Sequence, residues 1–296
     1  MVQERDGTNR LWSSLEKGMS MRVSQPQVRS ISGLRVLFRS ILSLWTVATF
    51  VTMTLLPTVT KAHIGIAPKA VNDMFDGRDY EEGTSQFIEV LLPHDCSNDA
   101  GDHFPTQHVA VMIPNGTNID PSVSVTVDDQ GNPQGANVMM ESKAGVNANW
   151  QEVRVLKGTV APFYSGGIKT EDVRAFHWMG GLVDNDHYER LQIRATLPML
   201  TGCSTSLRVF VPAVQYCTEG YKIAWIREET PLFQADEKTE VTAPPSADPY
   251  VASFIVKRNL ETNPLPADCE AGIEAEGPYP TAAEIDQYLV IPEAMP

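Results

Sequence analysis

His63 and the adjoining pair His94-Asp95 carry the side chains best suited to chemistry in this sequence. If the chain is cut before His63, that residue presents a free α-amine and an imidazole nitrogen, which together close a chelate ring around one metal ion. Two nitrogen donors in a near-planar arrangement suit Cu(II), the tightest binder among divalent first-row ions. The amine must first lose a proton, and its reference pKa of about 7.7–8.0 makes that loss accessible near neutrality. His94 and Asp95 follow in Leu92-Pro93-His94-Asp95-Cys96, where a loop could close over residue 63 and supply a third ligand. The alternative is a turn aspartate whose carboxylate caps local amides. Trp178, in Phe176-His177-Trp178-Met179-Gly180-Gly181, is either a core tryptophan or an indole face shielding a metal from water. His103, His108, His177 and His187 show no HxH or HExxH spacing and read as surface or internally satisfied histidines.

No Gly-x-Ser-x-Gly elbow, phosphate loop or dinucleotide fingerprint is present, so the pattern favours a binder over an enzyme. The Gly-Gly pairs at 166–167 and 180–181 read as turns, and Asn115-Gly116-Thr117 is not counted as a glycan acceptor. Four cysteines, Cys96, Cys203, Cys217 and Cys269, lack any CxxC spacing, which argues against a thiolate zinc site or a thioredoxin-type pair. An even count in an exported chain reads as up to two disulfides, with three pairings open.

The chain has 296 residues, 42% hydrophobic and 20% charged, ordinary values for one or two globular domains. Residues 1–62 hold 8 of the 23 Lys+Arg and 3 of the 37 Asp+Glu, leaving an acidic body. Such a body argues against nucleic acid, whose phosphates need clustered Lys and Arg. After a basic region with Arg22, Arg29, Arg35 and Arg39, Ile41 to Leu56 runs uncharged, and Thr60-Lys61-Ala62 places small residues before a cut. That order is the secretory signal pattern, and the apolar stretch is marginal as a permanent span. Residues 1–62 are therefore read as a signal peptide with a long n-region, and the protein as periplasmic or secreted. A membrane role follows only if the signal stays uncut.

Short alternating segments follow: Phe87–Leu92, His108–Ile113, Val123–Val127, Val173–Met179, Glu189–Leu197, Leu207–Val211 and Tyr221–Ile226. Period-two runs broken by turn residues predict an all-β, antiparallel β-sandwich over 63–232. No helix of three turns is predicted. Residues 233–296 read as an acidic Pro-rich linker and a mostly irregular tail without a core of its own.

His63 after the cut, Leu92–Cys96, Val109–Gly116, Trp150, Trp178–Gly181, Phe210–Gly220 and Trp225 together resemble the YcnI-like copper-binding domain of bacterial exported proteins, over roughly 63–228. The resemblance implies a sandwich of fibronectin type III or immunoglobulin kind and a single copper held by the mature N-terminal histidine, a mono-histidine brace. It gives His63 the amine and imidazole and makes Trp178 the tryptophan beside the metal. The family's carboxylate ligand matches best at Asp95, with Glu89 second. Asp is one methylene shorter than Glu, so either the loop approaches closely or His94 substitutes. The resemblance also favours a Cys96–Cys217 disulfide, leaving Cys203 and Cys269 to tie the tail back.

The function expected is extracytoplasmic copper acquisition, trafficking or homeostasis, with copper-donor or copper-acceptor proteins as partners. A copper redox enzyme would need a second histidine on another loop, for which only His94 is placed. A metal-free interaction module is the other alternative.

Overall fold

Apolar side chains at every second position drive the sheets. A computed structural model describes residues 64–66, 79–116, 126–127, 133–135, 137–242, 251–269 and 272–294. The expected signal peptide and His63 lie outside the described residues. In β3 (Ser85–Leu92) the buried side chains are Ile88, Val90 and Leu92, and in β12 (Glu189–Thr196) they include Leu191, Ile193 and Ala195. These strands pair antiparallel in a four-stranded sheet ordered β1-β3-β12-β9, completed by β1 (Gly65–Ile66) and β9 (Met140–Ala144). A six-stranded sheet runs β10-β11-β6-β14-β15-β16. Its members are β6 (Thr106–Met112), β10 (Glu152–Tyr164), β11 (Ile168–Val183), β14 (Ala213–Cys217), β15 (Lys222–Trp225) and β16 (Thr239–Val241). A third sheet runs β18-β13-β17-β2, from β2 (Asp79–Glu81), β13 (Ser204–Phe210), β17 (Ser253–Lys257) and β18 (Ile273–Glu276). Two ribbons, β4 (Cys96–Ser97) with β5 (His103–Phe104) and β7 (Thr126–Val127) with β8 (Pro133–Gly135), complete the described strands.

The all-β sandwich expected from the sequence is present, with one departure from antiparallel pairing. The short strands β2, β16 and β18 join β17, β15 and β13 in parallel. The β2 and β18 pairings bring together segments distant in sequence, and β16 returns to β15 over a shorter connection; local alternation reveals none of the three. The sequence reading also passed over β10. This 13-residue strand lies at the sheet edge and exposes most of one face, so its apolar signal is diluted. Gly166 and Gly167 turn β10 into β11 as expected, whereas Gly180 and Gly181 lie inside β11 rather than at a turn. There φ of Gly180 is 71°, and the β11–β6 register shifts between Met179 and Val183. A β-carbon on Gly181 would come within 2.6 Å of the buried Trp150 ring.

One face of the six-stranded sheet, carrying Val109, Val111, Phe176, Trp178 and Trp225, packs against Ile88, Val90, Leu92, Ile193, Leu207 and Val209 of the other sheets. Its opposite face, carrying Ala110, Met112, Ala175, Met179, Val214 and Tyr216, is covered by Ile285, Tyr288, Leu289 and Ile291. Three of these last four belong to α1 (Ala282–Leu289), a short helix in the predicted tail. It starts with a capping box: the Glu284 N–H donates to Thr281 Oγ1 at 3.3 Å and the Thr281 N–H to Glu284 Oε2 at 2.9 Å. Its end is held by the Tyr216 hydroxyl donating to the Leu289 carbonyl at 2.8 Å and by His177 Nε2 donating to the Tyr288 carbonyl at 2.7 Å. The Arg174 guanidinium, 5% exposed, pairs with Glu284 at 2.7 Å. The tail is thus mostly irregular, as expected, yet β17, β18 and α1 are integral to the fold. Arg258 anchors its start, donating to the carbonyls of Gly202, Ser204, Asn263 and Pro264 at 2.7–3.1 Å. The Cys203–Cys269 disulfide ties it covalently.

Asn115 is fully buried, its Nδ2 donating to the Met139 carbonyl at 2.7 Å and its Oδ1 accepting the Met139 N–H at 2.9 Å. The triplet Asn115-Gly116-Thr117 does fit the Asn-x-Thr acceptor pattern, contrary to the sequence reading. Burial of the amide is what withholds it from modification in the folded chain.

Truncating α1's buried contact by Leu289→Ala is expected to remove about 2–5 kcal/mol of stability. The measurement is the denaturant midpoint at unchanged slope. A midpoint left in place would show that the helix does not unfold with the body. A second expectation concerns pH. Burial lowers the His177 pKa below 6.5; the Tyr288 carbonyl opposes this, Arg154 adds to it and Glu293 opposes it. The unfolded chain therefore takes up a proton first, so stability held by neutral His177 is intact above 6.5 and declines as pH falls toward the lower folded value. Replacing His177 with Gln, which keeps an N–H for the Tyr288 carbonyl, is expected to flatten that decline between about pH 7 and pH 5.

Candidate metal centre

At one end of the sandwich β3 runs out into Pro93, His94 and Asp95 before Cys96 enters β4. β1 pairs antiparallel with this end, Gly65 opposite Leu91 and Ile66 opposite Val90, so the buried Ile64 lies at the Leu92 end. Two ties hold the loop. Cys96 is bonded to Cys217 at the end of β14, closing a sequence separation of 121 residues. Gln215 Nε2, from the same strand, donates to the His94 carbonyl at 2.8 Å and to Thr106 Oγ1.

Within this frame Asp95 is 1% exposed. Its Oδ1 lies 2.9 Å from His103 Nδ1, whereas Oδ2 is buried without a hydrogen-bond partner. Gln215 Oε1 is likewise buried and unpartnered. Leaving such acceptors unmet costs about 1–3 kcal/mol each, more for a charged oxygen. A donor or a cation at these oxygens would recover that cost. The His94 ring turns its Nδ1 to the Asp95 carbonyl. A carbonyl only accepts, so in the neutral ring Nδ1 carries the proton and Nε2 keeps its lone pair, the arrangement usual in histidine ligands.

Trp178 stands in the same cross-strand row as the loop's support: Trp178 opposes Val109, and Val109 opposes Gln215. The indole is fully buried, donates from Nε1 to the Gly145 carbonyl at 3.4 Å, and lies 5.7 Å from the Phe176 ring. Phe176 and Trp178 face the sandwich core, and His177 and Met179 the helix side, as the alternation predicts. Glu89, by contrast, alternates outward from β3 and pairs with Arg190 at 3.2 Å on the solvent face. It does not join His94 and Asp95.

Of the remaining histidines, His108 is half-buried and accepts the Gly180 N–H at 3.1 Å, and His187 is exposed beside Asp184 at 2.5 Å. Burial lowers the His108 pKa, and the Asp184 hydrogen bond raises that of His187. Two residues at this end escaped the sequence reading. Gln215 enters only within the Phe210–Gly220 string of the resemblance, with no role given to it. Glu189, cross-strand from Leu92, is buried and accepts the side-chain amides of Asn147 at 3.4 Å and Asn149 at 2.5 Å. The signal was available, because stepping back two residues from Leu191 along the inward phase of β12 lands on Glu189. Among the described residues no three His, Cys, Asp or Glu side chains converge as a metal cage, so a metal at this end needs a donor from outside them.

The sequence matches, over residues 78–247, the model of a family described as a domain of unknown function (DUF1775). The chain belongs to this family. YcnI-like domains are DUF1775 domains, so the resemblance read from the sequence falls within it. The DUF1775 match takes in His94, Asp95, Trp178 and Gln215 and stops short of α1. Among solved structures, the chain is similar to an uncharacterized protein from Nocardia farcinica described as revealing an immunoglobulin-like fold. They share 12% identity, the alignment covers 66% of this chain and 97% of that one, and the TM-score is 0.35. Comparison with curated proteins gave no match.

Both disulfides expected from the sequence are formed, and among the described residues no cysteine is free. Replacing Cys96 and Cys217 together by Ser is expected to cost about 4–5 kcal/mol in the chain-entropy model. Calorimetric unfolding of the double variant checks this; a loss under about 1 kcal/mol would mean that the Gln215 bonds alone hold the loop.

Proposed function

We propose that the chain is an exported copper-binding protein acting in extracytoplasmic copper acquisition, trafficking or homeostasis. On this reading residue 63, freed by signal cleavage, holds one Cu(II) through its amine and imidazole, and partner proteins give or take the ion. The observation that carries the reading is Asp95 Oδ2, a carboxylate oxygen buried and unpartnered in a loop pinned by a disulfide and Gln215. The His94 imidazole of the same loop contacts the Asp95 carbonyl, at the end of the sandwich where the described chain begins with Ile64. An amine, imidazole nitrogen and a carboxylate oxygen form a donor set suited to Cu(II). Asp95 would complete the set, Gln215 would fix the loop, and the buried Trp178 would keep water from the inner side. Membership of the DUF1775 family, two disulfides and the N-terminal signal pattern support export and this role.

The test begins with the intact mass of the protein recovered from an exporting host, followed by Cu(II) titration under paramagnetic resonance. The expected outcome is a chain starting at His63, one equivalent of Cu(II), and a signal lost in His63→Ala. Asp95→Asn is expected to weaken binding by about tenfold or more, as loss of a charged donor should. Retention of residues 1–62, or copper binding indifferent to His63→Ala, would overturn the reading and leave a metal-free interaction module.

A further inference from the structure

Among the described residues the two facing sheets differ in width at one flank. The four-stranded sheet ends at β9, which packs over β11, while the opposing sheet continues to β10. Among the described residues no strand of the four-stranded sheet lies over the inner face of β10, and the short β7–β8 ribbon packs against this strand. The result is a cleft of about 490 Å³ between β9, β10 and β11, within the range typical of small-molecule sites.

Its floor is apolar: Phe163, Val173 and Phe176 are buried there, and Val153 is half-buried. Val155 and Val146 line the same cleft and stay 47% and 85% exposed. Lys143, Lys157 and Lys169 also line it, and none has an ion-pair partner among the described residues. Lys257, by comparison, is paired with Asp79 at 2.6 Å. A group of unpaired lysines is notable because residues 63–296 carry 15 Lys+Arg against 34 Asp+Glu. The carboxylates in the wall are largely committed. Glu141 accepts the Ser165 hydroxyl at 2.5 Å, and Asp172 Oδ2 accepts the Glu141 N–H at 2.8 Å and faces Asn115 Nδ2 at 3.5 Å. Burial pushes the Asp172 carboxyl up, against the opposing pull of its backbone hydrogen bonds and of Lys157. Glu171 is the remaining acid at the mouth.

We propose that this cleft binds an amphipathic organic anion, an apolar chain or ring bearing a carboxylate or phosphate head. The apolar body would cover Val153, Val155 and the Phe163–Phe176 floor, and the head would meet the lysines. The site is independent of the copper reading, since it uses none of the residues assigned to the metal.

The test uses the exported full protein and the fluorescent anion anilinonaphthalene sulfonate, displaced by dodecanoate below its micelle concentration. Saturable displacement at one site is expected, with dodecanol about tenfold weaker because it lacks the charge. Val155→Asp and the pair Lys157→Gln with Lys169→Gln should each weaken dodecanoate by about tenfold, and Leu232→Asp, an exposed apolar residue outside the cleft, should not. Equal affinity for dodecanol, indifference to the cleft variants, absence of saturable binding, or binding only to phosphatidylglycerol vesicles would each overturn the proposal.

Discussion

Burial of the central strands of the six-stranded sheet on both faces is the constraint that organises this molecule. Strands covered on two sides read as unbroken apolar runs, and each uncovered face would leave apolar surface in water. Val109 to Met112 and Ala213 to Cys217 are buried throughout. The sandwich satisfies one face, and the other needs a lid. Residues 272–294 provide that lid although they lie beyond the region matched to DUF1775. The Cys203–Cys269 bond and the carbonyl cluster around Arg258 then have a clear purpose, since they deliver a sparse, acidic segment to the face it must cover.

The sequence yields the inner sandwich well, because alternation in β3 and β12 is a direct imprint of one buried and one more exposed face. It yields the outer lid poorly. Ile285, Tyr288 and Leu289 mark only two turns of helix, too little for periodicity to register. The capping box Thr281-Ala282-Ala283-Glu284 was the legible clue. At the candidate site, His94 and Asp95 could be picked by type and position, and the structure places them in one pinned loop. Glu89 is second choice to Asp95 in the resemblance, although the alternation of β3 already turns it outward. Glu189 is readable from the inward phase of β12, whereas Gln215 lies in a strand buried on both faces, where a lone polar residue shows no phase.

The His94–Asp95 loop illustrates how a fold sustains an unfavourable group. A buried carboxylate oxygen without a partner would ordinarily pull its loop toward water. Here the loop is held from both sides, by the bond to Cys217 and by the Gln215 amide on the preceding carbonyl. Both holds come from β14, a central strand of the sheet with the two-sided cover. Rigidity of the loop is thus inherited from the core, and local sequence contributes little to it. The same sheet supplies the buried Trp178, in the cross-strand row that also carries Gln215.

The buried Asn115 has a consequence for any setting in which this chain is made in a eukaryotic secretory pathway. Oligosaccharide transfer there acts on the nascent, unfolded segment and recognises Asn-x-Thr before burial can protect it. A glycan on Asn115 Nδ2 would consume a proton that the folded chain shares with the Met139 carbonyl and would place a bulky hydrophilic branch in a closed interior. Glycosylation and folding would therefore compete for one nitrogen, and every modified chain would be lost to the native state.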